Sequence, residues 1–172
     1  RFDLGSTKAR EKAFTKELTE KIINSLSRAE HGIVEWENKE LNSVKTSTNL
    51  AAIKTLEEEV LITTSQRSFS EADLASLGFK TYETFTECGA LAEVSDAYPA
   101  WQPKYDSKIL EITREAYKEL LGKEPIVKCM HAGLECGLLY KKNPALDIIS
   151  FGPTLRVVHS PDEKLDLKST EK

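Results

Sequence analysis

The chain lacks the features that mark a membrane protein or a nucleic-acid-binding protein. Its 172 residues contain no apolar run of roughly 18 residues and no apolar core of a signal peptide, so we expect neither a membrane span nor a secretion signal. Lys and Arg total 24 against 28 Asp and Glu, for a net charge of -4, and no basic stripe with interleaved aromatic residues is present. We therefore expect no nucleic-acid partner, no membrane partner and a cytoplasmic location.

Cysteine is also scarce. The three cysteines, Cys88, Cys129 and Cys136, are an odd number, and none lies two residues from another. This spacing argues against both a disulfide framework and a zinc ribbon. We predict that they are reduced, with Cys88 and Cys129 packed as small hydrophobic residues.

The first part of the chain has the pattern of an α+β unit. Apolar residues at helical spacing, from Phe14 to Leu26, predict an amphipathic helix that ends near His31-Gly32. Two stretches suited to strands follow, from Ser47 to Thr55 and from Val60 to Arg67. The acidic run Glu57-Glu58-Glu59 between them is typical of a solvated hairpin turn.

A proline-rich segment then divides the chain. Before it, Ser70 is expected to cap a helix that runs toward Gly89, and a short strand is predicted from Leu91 to Tyr98. The segment from Tyr98 to Pro103 is irregular because each proline fixes its own backbone and restricts the residue before it. We place a domain boundary there, which gives domains at 1–98 and 99–172.

Strands alternate with helices after this boundary. Asp106-Ser107 is expected to cap a helix that stops at Gly122. A buried strand from Ile126 to Met130, a helix from Leu134 to Lys141 and a second buried strand from Ile148 to Phe151 complete the pattern. This alternation predicts a parallel α/β sheet. Two or three strands cannot form such a sheet with both faces covered, so we expect other strands to belong to this domain.

Two loops follow the predicted strands, at the sheet end where α/β proteins bind ligands. The first runs from His131 to Gly137 and opens a helix, whose free amides can hold an anion. It can equally be a tight turn with a satisfied core histidine. The second comprises Phe151 to Thr154 and His159 to Glu163. His159 is either a metal ligand or a plain surface histidine, and the residues after it have the spacing of a turn or helix start.

Together these loops resemble the aminoacyl-histidine dipeptidases, members of the zinc peptidase family that includes carnosinases, succinyl-diaminopimelate desuccinylase and glutamate carboxypeptidase. The resemblance extends over nearly the whole chain from about Phe14. Besides the two loops, it is carried by His31 to Val34, Ser47 to Ala52, Ser65 to Ser68, Tyr98 to Pro103 and Asp147 to Thr154.

The resemblance implies a catalytic domain interrupted by a lid domain that also makes the dimer contact. Residues 1–98 would then be the later part of an α+β lid, and residues 99–172 the C-terminal part of an α/β catalytic domain. The intact parent would bind two zinc ions and hydrolyse dipeptides with a free carboxylate, with C-terminal histidine the name-giving case. It would form a homodimer through the lid.

Residue by residue, the resemblance assigns a partial site. His159 matches the family's C-terminal zinc ligand, and Arg67 matches the arginine that contacts the substrate carboxylate. Gly133 matches a glycine whose backbone lies against the substrate, and Glu135 lines the same turn. In the family the remaining metal ligands and the general base precede the lid, and no residue here matches them.

Two functions follow from this partial site. In the first, the chain is the C-terminal portion of the dipeptidase, has no catalytic residue of its own, binds no zinc stably and is inactive in isolation. In the second, it is a stand-alone non-catalytic protein that retains the dimer-forming surface of the lid and acts by binding.

Overall fold

The computed structural model of the chain describes residues 12–95, 98–131 and 134–171. Helices and antiparallel strands are mixed along it, which confirms the predicted mixed α and β fold class. The elements are α1 (Lys16–Arg28), β1 (Gly32–Asn38), β2 (Ser43–Thr55), β3 (Val60–Ser68), α2 (Glu71–Glu87), α3 (Lys108–Leu121), α4 (Glu135–Lys142), β4 (Leu155–Arg156), β5 (Lys164–Leu165) and α5 (Leu167–Thr170).

The main sheet has the order β1-β2-β3, with both pairs antiparallel. The predicted hairpin of β2 and β3 is confirmed, and its turn is closed by the Leu56 backbone N–H, which donates to the Glu59 carbonyl at 2.8 Å. Strand β1 was not predicted from the sequence. It lies at the edge of the sheet beside the 13-residue β2, and register shifts interrupt its pairing with β2.

The helices begin and end where their capping residues predict. The Ser70 hydroxyl accepts from the Asp73 backbone N–H at the start of α2, and the Ser107 hydroxyl accepts from the Leu110 N–H at the start of α3. Each hydrogen bond satisfies one of the free amides of a helix N-terminus. Gly122 ends α3 in the left-handed conformation at φ 66°, which glycine adopts without strain. The predicted helices are therefore confirmed.

The buried core of the described chain is small and centres on α2 and the sheet. Phe69, Leu77 and Phe85 are buried there. Thr46 and Ser68, from adjacent strands, are also buried, and their hydroxyl oxygens are hydrogen-bonded to each other at 3.0 Å. This pairing removes the cost of burying two hydroxyl groups without partners.

Three predicted strands do not form among the described residues. Residues 91–95 of the predicted strand Leu91 to Tyr98, and the segments Ile126 to Met130 and Ile148 to Phe151, have no strand partner there, so the expected parallel sheet is absent from the described residues. Residues 96 and 97 of the first segment lie outside the described residues. Many apolar side chains in the described parts of these segments are exposed instead, with Ile126 at 80% and Phe151 at 82%, whereas Ile148 and Ile149 are half-buried. A strand needs a neighbour for its backbone N–H and C=O groups. Among the residues described after α4, the only strand pairing is the short antiparallel one between β4 and β5.

Two smaller predictions are confirmed. Cys88, Cys129 and Cys136 are free thiols and half-buried. Ser160 to Glu163 forms a turn rather than a helix.

Of the helices described, none is long and apolar enough to cross a membrane.

Candidate functional site

Arg67 lies at the end of β3, opposite Ser47 of β2. The two residues are direct partners in the antiparallel ladder, so their side chains leave the same face of the sheet. Thr46 and Thr48, the neighbours of Ser47 along the strand, are both buried. Since successive side chains alternate between faces, Ser47 and Arg67 occupy the face opposite to these two threonines.

The segment that ends at His131 packs against that same face. The Ser43 hydroxyl donates to the Cys129 carbonyl at 2.9 Å. Four residues further along β2, the Ser47 hydroxyl oxygen is 2.7 Å from His131 Nε2. Strand β2 therefore holds this segment at two points, and the second point brings His131 to the face that carries Arg67.

Tyr105 adds a third contact between the sheet and the later part of the chain. Its hydroxyl donates to a Glu37 carboxylate oxygen at 2.9 Å and lies 3.6 Å from the Cys129 sulfur. Hydrogen bonding to Cys129 and Glu37 raises the pKa of Tyr105, so the phenol stays protonated and keeps its hydrogen to donate. The start of the His131 loop is thus fixed from both β1 and β2.

The surroundings of His131 lower the pKa of its imidazole. Its half-buried position removes water from the imidazole, and the nearby positive charge of Arg67 acts in the same direction, so both lower the pKa of His131. Each effect penalises the charged imidazolium. A neutral imidazole can either donate to the Ser47 hydroxyl or accept from it, so the contact does not require a proton to be gained.

The guanidinium of Arg67 is open to a ligand. Arg67 is exposed, and it makes no ion pair with any residue in the described ranges. Some other cations are paired, as in the ion pair of Lys45 with Asp73 at 2.8 Å. A planar guanidinium with free donors matches a carboxylate through two parallel hydrogen bonds.

His159 is presented by the turn that joins β4 to β5. Its φ of 62° is in the left-handed region, which non-glycine residues adopt infrequently. The turn holds this conformation through the His159 backbone N–H, which donates to a Glu163 carboxylate oxygen at 3.0 Å, and through the Ser160 hydroxyl, which donates to the Val157 carbonyl at 2.8 Å. The residue itself is exposed, so its imidazole is accessible to a metal ion.

The structure brings together only some of the predicted site residues. Arg67 adjoins the start of the His131 loop, whereas Gly133 lies outside the described residues. Glu135 is the exposed first residue of α4. The hydrogen bond of His159 stays within its own turn. In the portion of the chain that is described, no three His, Cys, Asp or Glu side chains converge on a common point, so His159 would need ligands from elsewhere to hold a metal.

Two contacts that shape this region were not predicted from the sequence. His131 was undecided between a ligand loop and a core residue, and Ser47 was not identified as its partner. Asp147 had no predicted role, yet it accepts the Ile109 backbone N–H at 3.0 Å at the start of α3. Hydrogen bonds from the Ile109 N–H and the Ser107 hydroxyl lower the pKa of Asp147. Sequence spacing does not reveal contacts between residues this far apart.

Arg67 and His159 are both exposed, and Arg67 lies beside the segment that ends at His131. Residues 11–172 match peptidase family M20/M25/M40, and the chain belongs to that family.

Two relatives define the comparison further. The cytosol non-specific dipeptidase of Escherichia coli (strain K12) is 32% identical over 148 residues, which make up 86% of this chain and 30% of that protein. The crystal structure of aminoacylhistidine dipeptidase from Vibrio alginolyticus superposes with a TM-score of 0.76 at 32% sequence identity, covering 96% of this chain and 34% of that one. The chain therefore spans about a third of the length of these relatives.

Proposed function

We propose that the chain is the C-terminal portion of a zinc-dependent dipeptidase that cleaves Xaa-His-type dipeptides, and that it is inactive in isolation. The observation that carries the proposal is the open guanidinium of Arg67 at the contact between the β2–β3 pair and the His131 loop. Membership of the peptidase family and the names of both relatives support it. Because both relatives are dipeptidases, the stand-alone binding function is not favoured.

Arg67 would bind the free carboxylate at the C-terminal end of the dipeptide. Its exposure and its lack of an ion pair among the described residues leave the guanidinium donors available. A dipeptide has its carboxylate one residue from the scissile bond, so an arginine that binds this group also sets the position of the bond. Gly133 and Glu135 would line the same substrate-binding turn.

His159 would supply one zinc ligand. Neutral imidazole is a common donor to zinc, and the hydrogen-bonded turn from Val157 to Glu163 limits the positions that the ring can adopt. When bound, a zinc pair polarises the scissile carbonyl and activates a water molecule. The role of this chain is to contribute the His159 ligand and to orient the substrate through Arg67.

The remaining features of the proposal concern organisation. Residues 1–98 would form part of a lid and dimerisation domain, and residues 99–172 would return to the catalytic domain. We propose a homodimer formed through the lid and a cytoplasmic location. The proposed cytoplasmic location draws on the name of the Escherichia coli relative, which is a cytosol non-specific dipeptidase.

A chimera tests the proposed function. Residues 12–171 of this chain would replace the matching segment of the Escherichia coli dipeptidase, and hydrolysis of L-alanyl-L-histidine would be measured with added zinc. The isolated 172-residue chain and the Escherichia coli protein without its segment are the matched controls. We expect turnover from the chimera and none from either control. A folded chimera that binds zinc but does not cleave the dipeptide would contradict the proposal.

A further inference from the structure

The hydrogen bond between Ser47 and His131 joins the two parts of the chain at the position of the proposed substrate-binding arginine. Ser47 is the direct cross-strand partner of Arg67, and its hydroxyl oxygen is 2.7 Å from His131 Nε2. Both Ser47 and His131 are half-buried, whereas Arg67 is exposed. The contact is therefore sheltered from water, while the side chain that it adjoins is open to a ligand.

We propose that Ser47 and His131 form a positioning pair, which fixes Arg67 of β3 beside His131 and thereby sets the site for the dipeptide carboxylate. This inference rests on the proposed function. Neither Ser47 nor His131 needs to touch the substrate. They act through Arg67, because the separation of β3 from His131 is set where β2 meets His131.

The neighbouring contact at Ser43 provides a comparison within the same interface. Ser43 also donates from β2 to this segment, at the Cys129 carbonyl, but its partner in the sheet is Asn38 of β1 and not Arg67. Loss of the Ser43 hydroxyl therefore removes an interface hydrogen bond of similar length without acting next to the arginine. If the contacts only hold the two parts together, the two serines are equivalent.

Kinetics of the chimera separate positioning from simple stability. For Ser47→Ala we expect the KM for L-alanyl-L-histidine to rise about three- to tenfold with kcat within about twofold. The carboxamide of the same dipeptide should show no such change, since it has no carboxylate for Arg67. Ser47→Thr keeps a hydroxyl and should restore KM to within about twofold, and Ser43→Ala should leave KM unchanged within the same factor.

A double variant tests whether the two side chains act as one unit. Ser47→Ala and His131→Ala combined should raise KM no further than either change alone, because each removes the same contact. Additive effects would overturn the pairing. An unchanged KM in Ser47→Ala, with a raised KM in Arg67→Ala, would overturn the inference but leave the proposed function standing. If Arg67→Ala does not discriminate between the acid and the carboxamide, both fail.

A second measurement requires no turnover and uses the 172-residue chain itself. Imidazole resonances followed by NMR across a pH titration report the pKa of His131. Arg67→Ala should raise this pKa because it removes a nearby positive charge, whereas Arg67→Lys should leave it low. An unchanged pKa in Arg67→Ala would place the guanidinium too far from His131 and overturn the inference.

Discussion

The two parts of the chain differ in whether their predicted strands pair with a neighbouring strand. In the sheet half, residues 12–95, the predicted strands β2 and β3 are adjacent in sequence and pair as a hairpin. In the return half, residues 98–131 and 134–171, the segments Ile126 to Met130 and Ile148 to Phe151 have equally strong apolar patterns but no described partner. An apolar pattern therefore predicts a strand only where the fold supplies a neighbour.

Lack of a strand partner coincides with exposed apolar side chains in both halves, as at Leu91 and Val94 in the sheet half. Phe69, Leu77 and Phe85 are buried in the sheet half. In the return half, Ile126 and Phe151 are exposed, although the pattern around them is typical of strands buried on both faces. This agrees with the expectation that further strands belong to the return half.

Hydrogen exchange should show the largest contrast between the halves. In the isolated chain, amides of residues 126–130 and 148–151 should exchange at nearly unprotected rates, while those of β2 and β3 are protected by their ladder. In the chimera, where additional strands can pair with them, exchange of the first two segments should slow by about a hundredfold or more. Mass spectrometry of both proteins provides the measurement. Protection of these segments already in the isolated chain would remove the distinction between the halves.

One glycine substitution in each half should change stability in opposite directions. A Cβ added at Gly137 would lie 2.8 Å from the Pro99 carbonyl oxygen and 3.6 Å from the Trp101 Cβ, so Gly137→Ala should lower the free energy of unfolding by about 1–3 kcal/mol. At Gly78, inside α2, nothing lies within 4 Å. Gly78→Ala should therefore raise the free energy of unfolding by about 0.5–1 kcal/mol, because alanine has a higher helix propensity than glycine.

Urea unfolding of both variants gives the free energy of unfolding, and hydrogen exchange of the amides in α2 and in α4 shows which helix is affected. If Gly137→Ala is as stable as the wild type, α4 does not pack against the Pro99–Trp101 segment as closely as the structure shows.

A smaller effect should appear in the pH dependence of each half. The pKa of Asp73 is lowered by hydrogen bonds from Lys45 and Ser70, and that of Asp147 by the Ile109 N–H and the Ser107 hydroxyl. A lowered carboxyl pKa stabilises the fold above the unfolded-state value of about 3.9, and this stabilisation is lost as pH falls through the folded-state value.

Asp73→Asn and Asp147→Asn should therefore each be less stable than the wild type at pH 7 and converge with it at acid pH. Thermal unfolding between these limits tests the prediction, with the exposed Asp162→Asn as a control. A stability difference that persists unchanged at acid pH would show that the carboxyl charge is not responsible.

The local elements of the fold were predictable from sequence, and the contacts between them were not. Ser70, Ser107 and Gly122 mark helix ends because their capping chemistry acts within a few residues. The contact of Ser47 with His131 joins residues separated by 84 positions, and no local pattern encodes that separation. The edge strand β1 was missed although Glu35-Trp36-Glu37 alternates charged and apolar residues, because so short an alternation does not identify the strand with which it pairs.

The candidate site was predictable only in part for the same reason. His159 and Arg67 follow from the family resemblance, and their assigned roles remain predictions. Spacing alone left His159 undecided between a metal ligand and a surface histidine. The structure adds the left-handed backbone of His159 and its hydrogen bond to Glu163, which depend on how the β4–β5 turn closes and do not by themselves make it a metal ligand.

Zinc content of chimera variants tests the central claim most directly. We expect His159→Ala to lower both bound zinc and turnover of L-alanyl-L-histidine, because it removes a ligand. Arg67→Ala should keep its zinc and lose substrate affinity, and His31→Ala, at the other exposed histidine, should keep its zinc. Equal zinc loss in the Arg67 and His159 variants, or full zinc retention in His159→Ala, would contradict the assigned division between substrate binding and metal binding.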